Sequence, residues 1–517
     1  MTLPPSNFFT LSAAFLPLFL VLYLMIGRQW DATRAGPAGW LAAVLIAVSI
    51  YGASGLLLAV AFGRAILLAL YVLYIIWMAL LLYHTVNEAG AIALIGRELP
   101  TLARSPTTQA LLLGWVFGSF LQGASGFGVP AAVVAPLLVG LGFAANQAVV
   151  IALLGHAWAV TFGSLGSSFF SLIAATGQPG EILAGPSALL LAFCCLACGV
   201  GVAWEAGGWA ALRRQWLLLL GVGGVMAAVQ AVLALAGLWS LAAFLAGLVG
   251  LIVMLLWLRL SATRGKPSIT VDRGELVTAV FPYLILVLVI VTGQLILQAP
   301  LDALLLNPTF PEVQTSFGWI TAAGTGRSIS ILGHAGALLL YASLLSFLWF
   351  RHRGTLQPKP YSGRAILQKT LKGSIKPTIG IIALVAMAVT MQHAGMTQRL
   401  AEALSVGTGP FFPLLSSFIG ALGAFMTGSN TNSNVVFGGL QQETAAVLNL
   451  SIPIILAAQT AGGAIGSMFA PAKVVVGCST VPGATDGEVL KKITLYGLGI
   501  TALVGGFVWL WLIGLIS

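Results

Sequence analysis

Six consecutive hydroxyl or amide side chains, Ser429-Asn430-Thr431-Asn432-Ser433-Asn434, follow Gly428 inside an otherwise apolar stretch. Each polar group carried away from water without a partner is costly. Capping two half-helices uses Ser, Thr or Asn but needs only about one or two of them. Such a run fits a substrate or ion site. A second small-residue turn, Gly123-Ala124-Ser125-Gly126-Phe127-Gly128, has a single hydroxyl at Ser125. It reads equally well as a tight turn or as the opposite wall of that site, with Gly123, Ser125 and Gly126 as its contacts.

Groups able to carry a proton or meet an anion are few. His156, His334 and His393 lie in apolar surroundings, and histidine titrates near physiological pH. His156 is the leading candidate for coupling, although a lone histidine in an apolar span more often only bonds a neighbour. Lys473 and Arg327 are the candidate anion contacts, because a charge at membrane depth marks function by default. Lys473 reads equally as a side chain that snorkels to the edge. The 13 carboxylates fall in loops or at span ends, Glu443 excepted, so no carboxylate proton relay runs through the core. Three of the four cysteines share one apolar segment with no histidine near, which reads as a buried helix face rather than a metal site, and nothing in their spacing suggests a disulfide framework. No catalytic residue set and no bound cofactor is expected.

The elements that position these residues are membrane spans. Of 517 residues, 59% are hydrophobic and only 7% charged, a balance that a water-exposed surface does not tolerate. Apolar runs of bilayer length lie near 8–26, 38–62, 65–84, 146–176, 185–204, 216–237, 239–260, 275–298, 328–350, 377–394, 452–476 and 493–514. The fold class expected is an all-α integral membrane domain over 1–517, with about twelve spans. The first span lacks a basic leader and reads as retained. Threaded with both termini outside, the chain puts 19 of its 23 Lys and Arg on one face, among them Arg213, Arg214 and the 259–273 and 351–376 loops. That is the positive-inside bias. It accounts for the net charge of +10 without nucleic acid, and it implies a multi-pass bacterial-type inner membrane protein.

Two stretches, 107–143 and 409–449, are too long for one crossing and broken by Gly, Ser, Asn and Pro. Each reads as a re-entrant hairpin, since irregular backbone survives at membrane depth only beside protein or a water-filled cavity. They also match each other. Gly118-Ser-Phe-Leu-Gln-Gly123 aligns with Gly423-Ala-Phe-Met-Thr-Gly428, and Phe162-Gly163-Ser164-Leu165 with Ile465-Gly466-Ser467-Met468. Repeats over 65–176 and 377–476 follow. The charge count orients them oppositely, which places a substrate site near the midplane where tips and broken spans converge.

The chain resembles the lactate permease family of proton-coupled lactate and glycolate transporters. The resemblance rests on Gly118 to Pro130, on Ala394-Gly395-Met396-Thr397, on Gly428 to Asn434 and on Gly462, Gly463 and Gly466. It implies an importer of a small monocarboxylate by proton symport, within a wider superfamily of inverted-repeat carriers, and it gives Ser429, Asn430 and Thr431 the binding role. Gln122 stands where the family commonly has Glu, and His156 where Asn is expected. His156 is then a compensating titratable site. The alternatives are sodium coupling, a carrier of another small organic anion such as a sulfonate or dicarboxylate, and remotely an intramembrane serine protease built on Ser125 with His156 or His334. Expected partners are the carboxylate, membrane lipid and, as one option, a second copy of the chain.

Overall fold

The computed structural model describes residues 3–99, 103, 105–126, 128–260, 273–357 and 360–514. Phe127, Arg104, Lys359 and most of the basic 259–273 loop lie outside these. Among the described residues, eleven helices are long and apolar enough to cross a membrane. The chain opens with α1 (Phe8–Leu22), α2 (Ala32–Ser49), α3 (Gly55–Glu88) and the short amphipathic α4 (Ala91–Glu98). The break expected at 63–64 instead falls at 50–54. Ser54 caps α3 there by accepting from the Leu57 amide at 3.1 Å, so the helix runs straight through Gly63 and Arg64.

The first hairpin follows. Its descending arm is α5 (Pro106–Ala110), a stretch of wider turns over Leu111–Phe117 and α6 (Gly118–Ala124). Its returning arm is α7 (Val129–Gly140). The next crossing is broken into α8 (Ala145–Gly155) and α9 (Gly163–Thr176). Then α10 (Gly180–Leu235) turns back on itself at Gly207 and Gly208, whose backbones are non-helical. The return is antiparallel, because Gly185 faces Leu235 and Gly223 faces Leu196. The spans expected at 185–204 and 216–237 are its two limbs. Next come α11 (Trp239–Leu260), α12 (Arg273–Val291) and the single-turn α13 (Gln298–Leu301).

A β-hairpin over 305–330 is an addition to the helical frame. Three nested antiparallel ladders pair Leu305 with Ser330, Thr309 with Thr325 and Val313 with Thr321. It lies across the ends of α2 and α3, where the Ser316 amide donates to Gly52 O at 2.9 Å and Arg64 donates to Ala322 O at 2.9 Å. The rest of the chain is α14 (Ala335–Arg353), α15 (Gly363–His393), α16 (Met396–Thr408), α17 (Phe412–Thr427), α18 (Asn430–Val447), α19 (Ile452–Gly466), α20 (Pro471–Ser479) and α21 (Asp486–Leu512).

Helix α21 calibrates the two ends of the molecule. Its 27 residues span about 40 Å at 1.5 Å per residue. Near its start, Glu488 and Thr485 bond Asn146, just past the first hairpin. At the hairpin's other end, Thr108 meets Gln215 at 3.2 Å, and Gln147 donates to Glu205 O, so both limbs meet the α10 turn. Near the far end of α21, Trp509 donates to Pro410 O at 3.0 Å, where α17 begins. Arms α17 and α18 then run antiparallel, joined by Ser433 Oγ to Gly420 O at 2.7 Å and Gln441 Nε2 to Ser416 O at 2.7 Å. The 107–143 segment therefore enters from one end and the 409–449 segment from the other.

Candidate functional site

The tips and the broken spans meet in the interior. Gly428 adopts φ +69, which turns the chain between α17 and α18, and Ser429 caps α18 by accepting from the Asn432 amide at 3.3 Å. Asn430 Nδ2 donates to Thr161 Oγ1 at 3.1 Å and to Thr460 O and Oγ1, both at 3.2 Å. Asn434 Nδ2 donates to Thr460 Oγ1 at 3.0 Å and to Ser168 O at 2.9 Å. Thr431 Oγ1 lies 3.0 Å from Ser168 Oγ. Ser433 accepts from Gln459 Nε2 at 2.9 Å. The run of six thus divides its labour. Ser429 caps, four others brace the hairpin against α9 and α19, and the side chain of Asn432 has no hydrogen-bond partner among the described residues. The carbonyl oxygens of Asn430, Asn432 and Asn434 are buried and unpartnered, so the network is left with spare acceptors.

The opposing tip is built by backbone. Ser125 Oγ donates to Leu121 O at 2.7 Å, and Gly126 and Gly128 adopt φ +64 and +84. A methyl on Gly126 would sit 1.6 Å from Ser164 Oγ, and one on Gly123 would sit 2.4 Å from the Phe244 backbone. Glycine is required there by close approach. Ser164 and Leu165 are held at φ 48 and 56, followed by Gly166 at 85. Left-handed backbone at a non-glycine residue costs about 1–3 kcal/mol each and persists where the surroundings over-determine it. This turn is where the crossing between α8 and α9 breaks, directly against the first tip.

Helix α20 runs between the two tips. A methyl on Gly428 would lie 3.6 Å from Ala472 Cβ, and one on Gly128 would lie 3.5 Å from Val476 Cγ1. Lys473 sits between those contacts, donating to Ser467 Oγ at 3.0 Å. No carboxylate pairs with it among the described residues. It is within electrostatic reach of His156.

The other candidates sort by position. His156 is buried, and its Nδ1 lies 2.6 Å from Ala152 O. A carbonyl only accepts, so Nδ1 carries the proton and Nε2 faces the interior unpartnered. Gln122 is buried beside Gly163, with Oε1 unpartnered. His393 closes α15 with Nδ1 on Val389 O at 2.9 Å and lies near Arg64, away from the tips. Arg327 and His334 line a separate cavity, away from the two tips.

The model of the L-lactate permease family matches residues 11–515. The chain belongs to that family. An L-lactate permease of Halalkalibacterium halodurans is 26% identical over 86% of this chain and 85% of its own length. The glycolate permease GlcA of Escherichia coli K12 is 26% identical over 84% of this chain and 83% of its own. An L-lactate permease of Bacillus subtilis is 27% identical over 93% and 92%. Two solved transporters also superpose. YdaH of Alcanivorax borkumensis does so with TM-score 0.49 at 13% identity, covering 89% of this chain and 88% of its own. MtrF of Neisseria gonorrhoeae gives 0.47 at 14%, covering 85% and 81%.

A membrane transporter, and not an enzyme, is what the family makes of this geometry. Ser125, the one hydroxyl a protease reading offered, is bonded to its own helix rather than to a histidine base. The sequence brings the broken spans to the midplane but does not single out Thr161, Ser168 or Thr460 on them. Hydroxyls flanked by Gly and Ala in otherwise apolar broken spans were the available signal.

Proposed function

We propose that the chain imports a small monocarboxylate, lactate or glycolate, across a bacterial inner membrane by proton symport. The supporting observation is Lys473, a cation without a carboxylate partner among the described residues, placed between two tips that enter from opposite ends. Even half-buried, a charge at membrane depth is costly unless paired, and a monoanionic substrate pairs it. The carboxylate sits on the Lys473 ammonium, and the 2-hydroxyl donates to the free amide oxygen of Asn432. The names of the curated relatives support lactate and glycolate in particular. One lysine and no second free cation between the tips, among the described residues, favours a monoanion over a dicarboxylate.

The two segments are read as inverted repeats over 65–176 and 377–476, both termini outside. In that reading, alternating access is the exchange of one tip's solvent exposure for the other's. The unpartnered amide oxygens of Asn430, Asn432 and Asn434 are neutral acceptors suited to a cation, and this keeps sodium as the second reading. Uptake of labelled L-lactate and glycolate into proteoliposomes tests both. An inward proton gradient alone should drive accumulation. Accumulation that needs sodium, or that succinate inhibits as strongly as glycolate does, overturns the proposal.

A further inference from the structure

Outside the central network lies a second polar cavity, of about 760 Å³, formed by α3, α9, α11, the β-hairpin and the start of α14. Two of its lining groups are donors without acceptors. Arg327 lies between the last two strand pieces of the β-hairpin, Gly324–Thr325 and Ile329–Ser330, and lays its guanidinium over the Tyr71 ring, 4.2 Å from the centroid. Its Nε is buried and unpartnered, and it forms no ion pair among the described residues. His334 caps α14, with 6% of its surface exposed. Its Nδ1 accepts from the Gly336 amide at 3.1 Å, so in the neutral ring the proton is on Nε2. That Nε2 is buried with no acceptor. Tyr74 stacks on the imidazole at 5.1 Å and Tyr71 meets its edge at 4.5 Å, which fixes the ring's direction. Arg327 and His334 are close enough to interact electrostatically.

The floor of this cavity is aromatic. Trp239 packs on Phe170 at 5.7 Å and on Phe169 at 5.4 Å. Gly166 lies directly beneath, where a methyl would stand 3.0 Å from Phe170 and 3.2 Å from Trp239 O. Gly166 ends the left-handed turn that abuts the first tip. The cavity therefore stands over the broken crossing and is separated from it by two or three rings.

We infer that Arg327 and His334 form an anion-capture site in this outer vestibule, above the Phe170–Trp239 plug, that holds a carboxylate before it enters. The guanidinium and the Nε2–H supply donors only, and the positive end of the α14 dipole adds to them. Glu181, exposed, and Asp302, half-buried against Gly333, also line the vestibule. Its net charge therefore does not by itself select an anion, and the selection rests on the local pair. That the captured anion is the transported carboxylate rests on the function proposed above; the capture chemistry does not.

Cysteine reactivity tests this without any transport measurement. The native Cys194, Cys195, Cys198 and Cys478 are buried, so Ser328→Cys on the vestibule wall supplies an accessible thiol. In purified protein, an anionic methanethiosulfonate should label it faster than a cationic one, and millimolar acetate or L-lactate should slow the labelling several-fold. Arg327→Gln should abolish both effects, His334→Ala should weaken them, and Arg327→Lys should keep the reagent preference. In uptake, Arg327→Gln should raise KM about tenfold with Vmax nearly unchanged. Faster labelling by the cationic reagent, or slowing by carboxylate that survives Arg327→Gln, overturns the inference. Protection by acetate in a chain that transports no lactate would leave the capture site standing and remove the substrate assignment instead.

Discussion

Asn430 Nδ2 donates to Thr161 Oγ1 at 3.1 Å across 269 residues of sequence, joining the tip of the second hairpin to the broken crossing that follows the first. The same amide holds Thr460 on the broken crossing of its own half. One side chain thus ties together three segments that the proposed alternating-access cycle would rearrange. In that proposed cycle these bonds hold one conformation against another.

Asn430→Ala should therefore damage transport more than stability. It leaves the buried Thr161 hydroxyl without its amide donor, a cost of about 1–3 kcal/mol, while Thr460 Oγ1 still accepts from Asn434 Nδ2. Initial uptake should fall at least tenfold, while melting in detergent shifts by only a few degrees. Thr161→Val removes that acceptor and the hydroxyl's own donation to Thr460 O at 3.1 Å but leaves the Asn430 amide on Thr460, and should lower uptake in the same direction. Uptake retained in Asn430→Ala would remove this network from the cycle.

Lys473→Gln should raise KM for lactate by one to two orders of magnitude, since a charge-assisted hydrogen bond is roughly twice as strong as a neutral one. Lys473→Arg should recover part of the affinity, because it keeps the charge but loses the fit to Ser467, which lies 3.0 Å from Nζ. Equal KM in wild type and Lys473→Gln, measured by initial rates, would place the carboxylate elsewhere.

The spans were legible because bilayer length and apolarity are properties of a contiguous window, and so were the two tips, whose Gly, Ser and Asn interrupt such windows. The break between α2 and α3 was misplaced because apolar residues run through it. The signal that decides it, Ser54 capping Leu57, is weaker than the Gly63-Arg64 pair, which looks like a turn. That pair is instead held in the helix by the β-hairpin, with Phe310 against Gly63 and Ala322 O on Arg64. The β-hairpin itself was not legible, because ladders of two residues leave no alternating pattern to read. The division of labour from Ser429 to Asn434 was also hidden. Its partners, Thr161, Ser168 and Thr460, are brought there only by the fold.

Proton coupling can be separated from substrate binding at two positions. His156 presents an unpartnered Nε2 near Lys473, and Gln122 presents an unpartnered Oε1 beside Gly163. His156→Gln keeps a polar side chain and removes the titratable one, so uptake should lose its dependence on external pH. Gln122→Glu in that background should restore a pH-dependent rate with a different midpoint. An unchanged pH profile in His156→Gln would exclude that histidine as the proton carrier.

The packing of α17 on α19 makes the last prediction. Here glycine replaces side chain so that backbones touch: a methyl on Gly420 would lie 2.0 Å from Gln459 O, one on Gly462 1.9 Å from Ser417 O, and one on Gly466 2.3 Å from Ala421 O. Small residues at such seams let membrane helices approach closely enough for dispersion to hold them. Gly462→Ala must push the helices apart, which costs about 1–3 kcal/mol for overpacking and shifts Asn434 and Thr460 out of register. Melting temperature and uptake should both fall. Gly224→Ala on α10, where nothing lies within 4 Å of the added methyl, should instead gain up to about 1 kcal/mol of helix propensity with uptake unchanged. If the two variants behaved alike, close backbone approach at Gly462 would not be what holds the second hairpin against its broken crossing.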